Sequence, residues 1–225
     1  MDFNDFFTKK RILFIGLFAI AAVLLDQINF SAIMGTQNQS FTLFQFFAPI
    51  TAAFLGPIPG VISVLLAQGA NFFLLNKEAT LFTLLRFAPM ALAAYYFAVK
   101  TRLGIVFPAL CMALFWIHPI GGQVWFYPLY WLIPIAVELW FKSNLFAKSL
   151  GTTFTAHAVG SVLFLYSVPS PPSLWLALIP VVAMERFMFA LGITGSFVAV
   201  NAVLNKLSAR IPQEVVEINP RFTLR

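Results

Sequence analysis

Apolar residues run along this chain in long blocks separated by short connectors. The blocks are 12–30, 41–55, 61–75, 81–99, 103–118, 126–141, 145–167 and 174–204. A helix that crosses a bilayer needs about 20 such residues, within a range of roughly 17–25. The pattern therefore predicts an all-α fold, a polytopic bundle of membrane helices. Runs 41–55 and 61–75 hold 15 residues each. At about 1.5 Å per residue each reaches only about 22 Å, short of a hydrocarbon core of roughly 30 Å. Gly56-Pro57-Ile58-Pro59-Gly60 joins them with a strong turn signal. They read as two short spans or as one re-entrant hairpin. The bundle then has eight spans, or six full spans plus the hairpin. Residues 1–204 form a single transmembrane domain in this reading, and 205–225 a polar cytoplasmic tail.

Composition agrees with lipid as the solvent. Hydrophobic residues make up 60% of the chain and charged residues 10%, against about 25% charged in a soluble domain. The 27 Phe push the same way. Charge then sets the orientation. Lys9, Lys10 and Arg11 precede the first run, Lys100 and Arg102 fill one connector, Lys142 and Lys148 flank another, and Lys206 and Arg210 open the tail. Connectors 31–40, 119–125 and 168–173 carry no charge. Basic loops lie on the cytoplasmic side of membrane proteins. Both termini are accordingly expected in the cytoplasm of a multi-pass cell-membrane protein. The net charge of +6 is spread over these connectors, so the partner it implies is the bilayer and not nucleic acid. The first run is expected to be retained as a span and not cleaved as a signal peptide, because Asp26-Gln27-Ile28-Asn29 follows it where small residues would be needed.

Motifs of soluble enzymes are missing. The sequence holds no Walker loop, dinucleotide fingerprint, His-Glu-x-x-His or Gly-x-Ser-x-Gly. Two His and one Cys offer little to a metal, and no metal or cofactor is expected. Cys111 reads as a small buried hydrophobe. The rows Ala48, Ala52, Gly56 and Met90, Ala94, Ala98 read as close helix contacts. Phe47-Ala48-Pro49 recurs as Phe87-Ala88-Pro89, too short a match to establish an internal repeat.

The candidate chemistry is the set of polar groups inside apolar runs. A charge at the bilayer centre costs about 2.5–3.5 kcal/mol on insertion scales, so such residues face the bundle and pair. Asp26 and Arg86 fall in the outer half and are expected to pair. Asn29 shares a helix face with Asp26, and Gln68 shares one with Asn71. Thr153, His157 and Ser161 form a stripe at i, i+4, and Glu185 lies at a similar depth. Adjacent Arg186 is expected to point about 100° away from Glu185. Glu138 reads as an interfacial ion pair with Lys142 at i+4. The uncharged loop 31–40, with Asn38 in its middle, fits a cap over an outer cavity. Asp26, Asn29, Asn38, Arg86, His157 and Glu185 are the expected ligand-binding set, with His118 also on the outer side. The plainer reading of these groups is hydrogen bonding between helices.

The stretch Phe41–Gln68, with Ala48-Pro49 and Leu55-Gly56-Pro57-Ile58-Pro59-Gly60, the short basic N-terminus and the polar loop after the first run resemble the substrate-binding S component of energy-coupling factor transporters. The resemblance implies a vitamin-like or metal ligand near the outer face, covered by the loop after the first helix. It also implies a separate transmembrane coupling protein and two ATPases as partners. The function expected is small-molecule binding and transport. The alternatives are a membrane-embedded enzyme acting on a lipid or quinone, with Glu185, His157 and Asp26 as acid and base, and a membrane scaffold.

Overall fold

The computed structural model describes residues 8–32, 40–99, 101–212 and 214–222. Helix α1 (Lys9–Leu25) opens where Thr8 Oγ1 accepts from the Arg11 N–H at 3.3 Å. It leads into a small antiparallel ribbon of β1 (Asn29–Ala32) and β2 (Ser40–Thr42), which pairs Asn29 with Thr42 and Ala32 with Ser40. The ribbon departs from the all-α expectation. Residues there lack a helical apolar period, and strand pairing is the other way to satisfy their backbone groups.

Helices α2 (Phe44–Leu55) and α3 (Pro57–Leu74) follow. The turn between them is Gly56 alone, at φ +90°. Pro57 and Pro59 belong to the first turn of α3, where a missing N–H removes no helical bond. Helix α3 is therefore 18 residues long, longer than the run 61–75 suggested. Gly60 lies directly on α2, since a Cβ there would fall 2.1 Å from Ala52 Cα. Run 81–99 divides into α4 (Leu81–Leu85) and α5 (Ala88–Ala98) at Arg86 and Phe87.

A 3-10 turn (Arg102–Ile105) enters α6 (Val106–Ile117), and α7 (Pro119–Gln123) is a single short turn. Run 126–141 changes pitch twice. It is 3-10 over Tyr127–Trp131, α-helical in α8 (Leu132–Ala136) and a π-turn over Val137–Phe141. Pro128 and Pro134 each withdraw a donor there, which loosens the regular ladder. Helix α9 (Leu145–Ser167) starts at Asn144, whose Oδ1 accepts from the Ala147 N–H at 2.9 Å. Helix α10 (Pro172–Lys206) is 35 residues long with Pro180 inside it.

Helix α2 packs on α1, α3, α5 and α10, and α9 packs on α5, α6, α8 and α10. These two are the inner helices. Helix α9 tolerates that position although it is rich in Ser and Thr, because Ser149, Thr152 and Thr155 return their hydroxyls to carbonyls one turn back. Among the described residues, three segments are long and apolar enough to cross a membrane: Pro57–Leu74, Leu81–Ala98 and Pro172–Lys206.

Both ends of the described chain meet at one end of the bundle. Arg11 Nη2 donates to Glu214 O at 3.4 Å, and the Glu217 N–H donates to Phe54 O at 2.8 Å. The tail is folded back on the bundle. Val216 is fully buried, and Asn201 exchanges hydrogen bonds with Asn219 and reaches Phe222 O.

The expected Glu138–Lys142 pair does not form. Glu138 is buried and binds Lys148 on α9, while Lys142 stays exposed. Lys148 also donates to Val99 O at 3.4 Å and lies 4.4 Å from the centre of the Tyr96 ring. Glu138 points inward, where a carboxylate without a partner is far more costly than at an interface, and Lys148 supplies the partner there.

Candidate functional site

A cavity of about 1010 Å³ occupies the half of the bundle away from the chain ends. Its walls come from the end of α1, the ribbon, the first turn of α2, the second half of α3, the α4–α5 break, α9 and the first half of α10. Five of the six expected residues line it: Asp26, Asn29, Arg86, His157 and Glu185. Asn38 lies outside the described residues. His118 stands elsewhere, against Tyr166 at 4.8 Å between rings, with Nδ1 accepting from the Ile120 N–H at 3.2 Å.

Asp26 follows the last turn of α1 and is held from two sides. Thr42 Oγ1 donates to Oδ1 at 2.5 Å and Asn71 Nδ2 donates to Oδ2 at 2.6 Å. Gln27 Nε2 donates to Asn71 Oδ1 at 3.1 Å and completes the chain. The expected Asp26–Arg86 pair is not among the ion pairs of the described residues. The carboxylate oxygens are already taken by Thr42 and Asn71. Arg86 ends the five-residue α4 and stays exposed on the cavity wall, with no hydrogen bond or ion pair among the described residues. Gln68 and Asn71, which share a face of α3, both line the cavity, and Gln68 Oε1 is buried without a partner among the described residues.

Glu185 and Arg186 pair with each other instead of diverging. Arg186 Nη2 donates to Glu185 Oε2 at 3.1 Å, and Nη1 reaches Thr153 Oγ1 at 3.4 Å. The guanidinium is stacked near Phe189 and Phe41, at 4.4 Å and 5.2 Å from their ring centres. Two flexible side chains one residue apart can bend toward each other when both sit in a low-dielectric pocket that favours neutralising the charge. Arg186 is 6% exposed and its Nε–H is buried without a partner.

His157 is the centre of a third cluster. Trp131 Nε1 donates to Nδ1 at 3.1 Å, and Nε2 lies 3.1 Å from Tyr127 Oη and 3.3 Å from Ser161 Oγ. Phe115, Tyr127, Trp131 and Trp175 pack edge-on and stacked behind it, and all four are buried. Tyr127, Trp131 and Arg186 were not in the expected set. An aromatic residue in an apolar run carries the same signal as core, and Arg186 was assigned to another face by helix geometry alone. Tyr127 four residues before Trp131, both in a run with two prolines, was the available sign.

Among the described residues, no three His, Cys, Asp or Glu side chains come together in a metal-ligating group. No family model, no curated protein and no solved structure matches the chain.

Proposed function

We propose that this chain is a multi-pass membrane protein that binds a small water-soluble molecule in the cavity and passes it across the bilayer. The observation that carries the reading is the cavity itself. It joins a large apolar wall to a few fixed polar groups, which is the make-up of small-molecule sites. It also holds a cation, Arg86, that has no hydrogen bond or ion pair among the described residues.

The membrane part rests on the surface. Leu13, Phe73, Ile117 and Trp140 are each at least 60% exposed, and a soluble chain does not show water so many large apolar groups. Lys9, Lys10 and Arg11 open α1 at the end where the chain termini meet, and basic residues favour the cytoplasmic side, so we read that end as cytoplasmic and the cavity, lined by Asp26 at the other end of α1, as extracytoplasmic. A binding pocket facing outward in a chain with no nucleotide motif fits the substrate-binding subunit of an energy-coupling factor importer. A transmembrane coupling protein and ATPases would then supply the energy.

The test is mass spectrometry of small molecules released from protein purified gently in detergent, with Arg86→Ala beside it. Arg86 has no hydrogen bond or ion pair to lose among the described residues and is exposed, so the variant is expected to fold normally. A stoichiometric polar compound in wild type that is absent from the variant is expected. Bulk lipid alone in both samples would defeat the proposal.

A further inference from the structure

The side chains around His157 hold more hydrogen-bond donors than acceptors can absorb. The indole N–H of Trp131 can only donate, so the Nδ1 it meets at 3.1 Å carries no proton. The proton of the neutral ring is then on Nε2. This atom lies 3.1 Å from Tyr127 Oη and 3.3 Å from Ser161 Oγ, and as an N–H it donates to one of them and accepts from neither. Tyr127 and Ser161 each still have a hydroxyl hydrogen. One of them can use the other's oxygen, but two hydroxyls do not donate to each other at once. Ser161 does not return its hydroxyl to its own helix as Ser149, Thr152 and Thr155 do, and Tyr127 Oη has no other partner among the described residues. At least one hydrogen must therefore leave the cluster. Tyr127, His157 and Ser161 all line the cavity, beside the apolar walls of Phe164, Trp175 and Leu178.

We infer that Trp131, although it does not line the cavity, locks this cluster as a donor, and that the occupant presents a hydrogen-bond acceptor to it. The occupant then brings a carbonyl or carboxylate oxygen to the cluster and sets an apolar part against the walls beside it. This rests on the reading of the cavity as a ligand site. A group that brings only donors would leave the cluster's hydrogen unpaired and is excluded for that reason.

The full chain in detergent, labelled with 15N-histidine, gives the first measurement. It has two histidines, and His118→Gln assigns their signals. His157 should show a protonated Nε2 and a bare Nδ1. Three neutral probes of one ring size then test the cavity: acetophenone, toluene and aniline. Acetophenone should bind about fivefold more tightly than toluene, the worth of one ordinary hydrogen bond, and should shift the His157 Nε2 signal. Aniline should gain nothing over toluene. In Trp131→Phe the two tautomers should mix and the preference for acetophenone over aniline should shrink. A protonated Nδ1 in wild type, or equal binding of acetophenone and toluene, overturns the inference and leaves the cavity reading standing. Saturable binding by none of the three overturns both.

Discussion

Lys148 shows how this chain treats a charge it cannot expose. Its ammonium is shared between the Glu138 carboxylate, Val99 O and the Tyr96 ring, and Tyr96 Oη is itself spent on Pro134 O at 2.8 Å. Little of either side chain reaches solvent, 9% for Lys148 and 1% for Glu138. Breaking such a pair leaves a bare buried charge, whereas replacing both members with apolar residues removes the problem. Lys148→Met is therefore expected to cost about 3–5 kcal/mol of stability. The double variant Lys148→Met, Glu138→Leu should recover most of that loss. Unfolding of both by a denaturing detergent checks the pair, and a double variant as weak as the single one would show that the charges hold more than each other. Asp26 illustrates the opposite arrangement. It is satisfied by two uncharged donors, Thr42 and Asn71, and pairs with no cation among the described residues.

Helices α2 and α3 form a hairpin whose closeness depends on one missing side chain. Gly60 rests on the Ala52 backbone, and Thr51 Oγ1 lies 3.2 Å from Gly60 O across the same contact. Gly60→Val must push the two helices apart and should destabilise the protein by roughly 1–3 kcal/mol, as overpacking does. Gly195 is the control, because a Cβ there meets nothing within 4 Å and Gly195→Ala should be neutral or slightly stabilising. Melting temperatures of the two variants decide the matter, and equal values would remove the contact from the account. The positions of the helices were legible in the sequence because a long apolar run has few other uses. The start of α3 was not, since Pro57 and Pro59 signal a turn and a helix N-terminus equally well. The ribbon was hidden because it joins residues across a loop, Asn29 to Thr42. For the cavity, Asp26, Arg86, His157 and Glu185 stood out as costly groups in apolar runs. The partner of Asp26 did not, because Thr42 lies on the second strand of the ribbon, and elsewhere in the bundle the Glu138–Lys148 pair spans ten residues across a turn. Tyr127 and Trp131 looked like ordinary core until their polar tips were seen to meet His157.

At the scale of the molecule, the cavity takes in Asp26 at the end of α1, while Arg11 at the other end of that helix meets the tail. If the basic end is cytoplasmic, residues at the two ends must differ in access from outside. Cys111 is the only cysteine and is buried, so a Cys111→Ala background allows single labels. In intact cells a membrane-impermeant maleimide should label Gln123→Cys at once, and Ala209→Cys only after permeabilisation. The reverse order would put the cavity on the cytoplasmic side, and import from outside would then be abandoned. The tryptophans add an optical consequence. Trp116, Trp125 and Trp140 are exposed at 41%, 59% and 71%, whereas Trp175 is buried at 1%, forms part of the cavity wall and has its indole N–H fixed on Ser170 Oγ at 3.1 Å. Indole emission follows the polarity around the ring. With the three outer tryptophans changed to Phe, only Trp131 and Trp175 remain, and since Trp131 does not line the cavity, a change in emission on filling the chamber reports on Trp175.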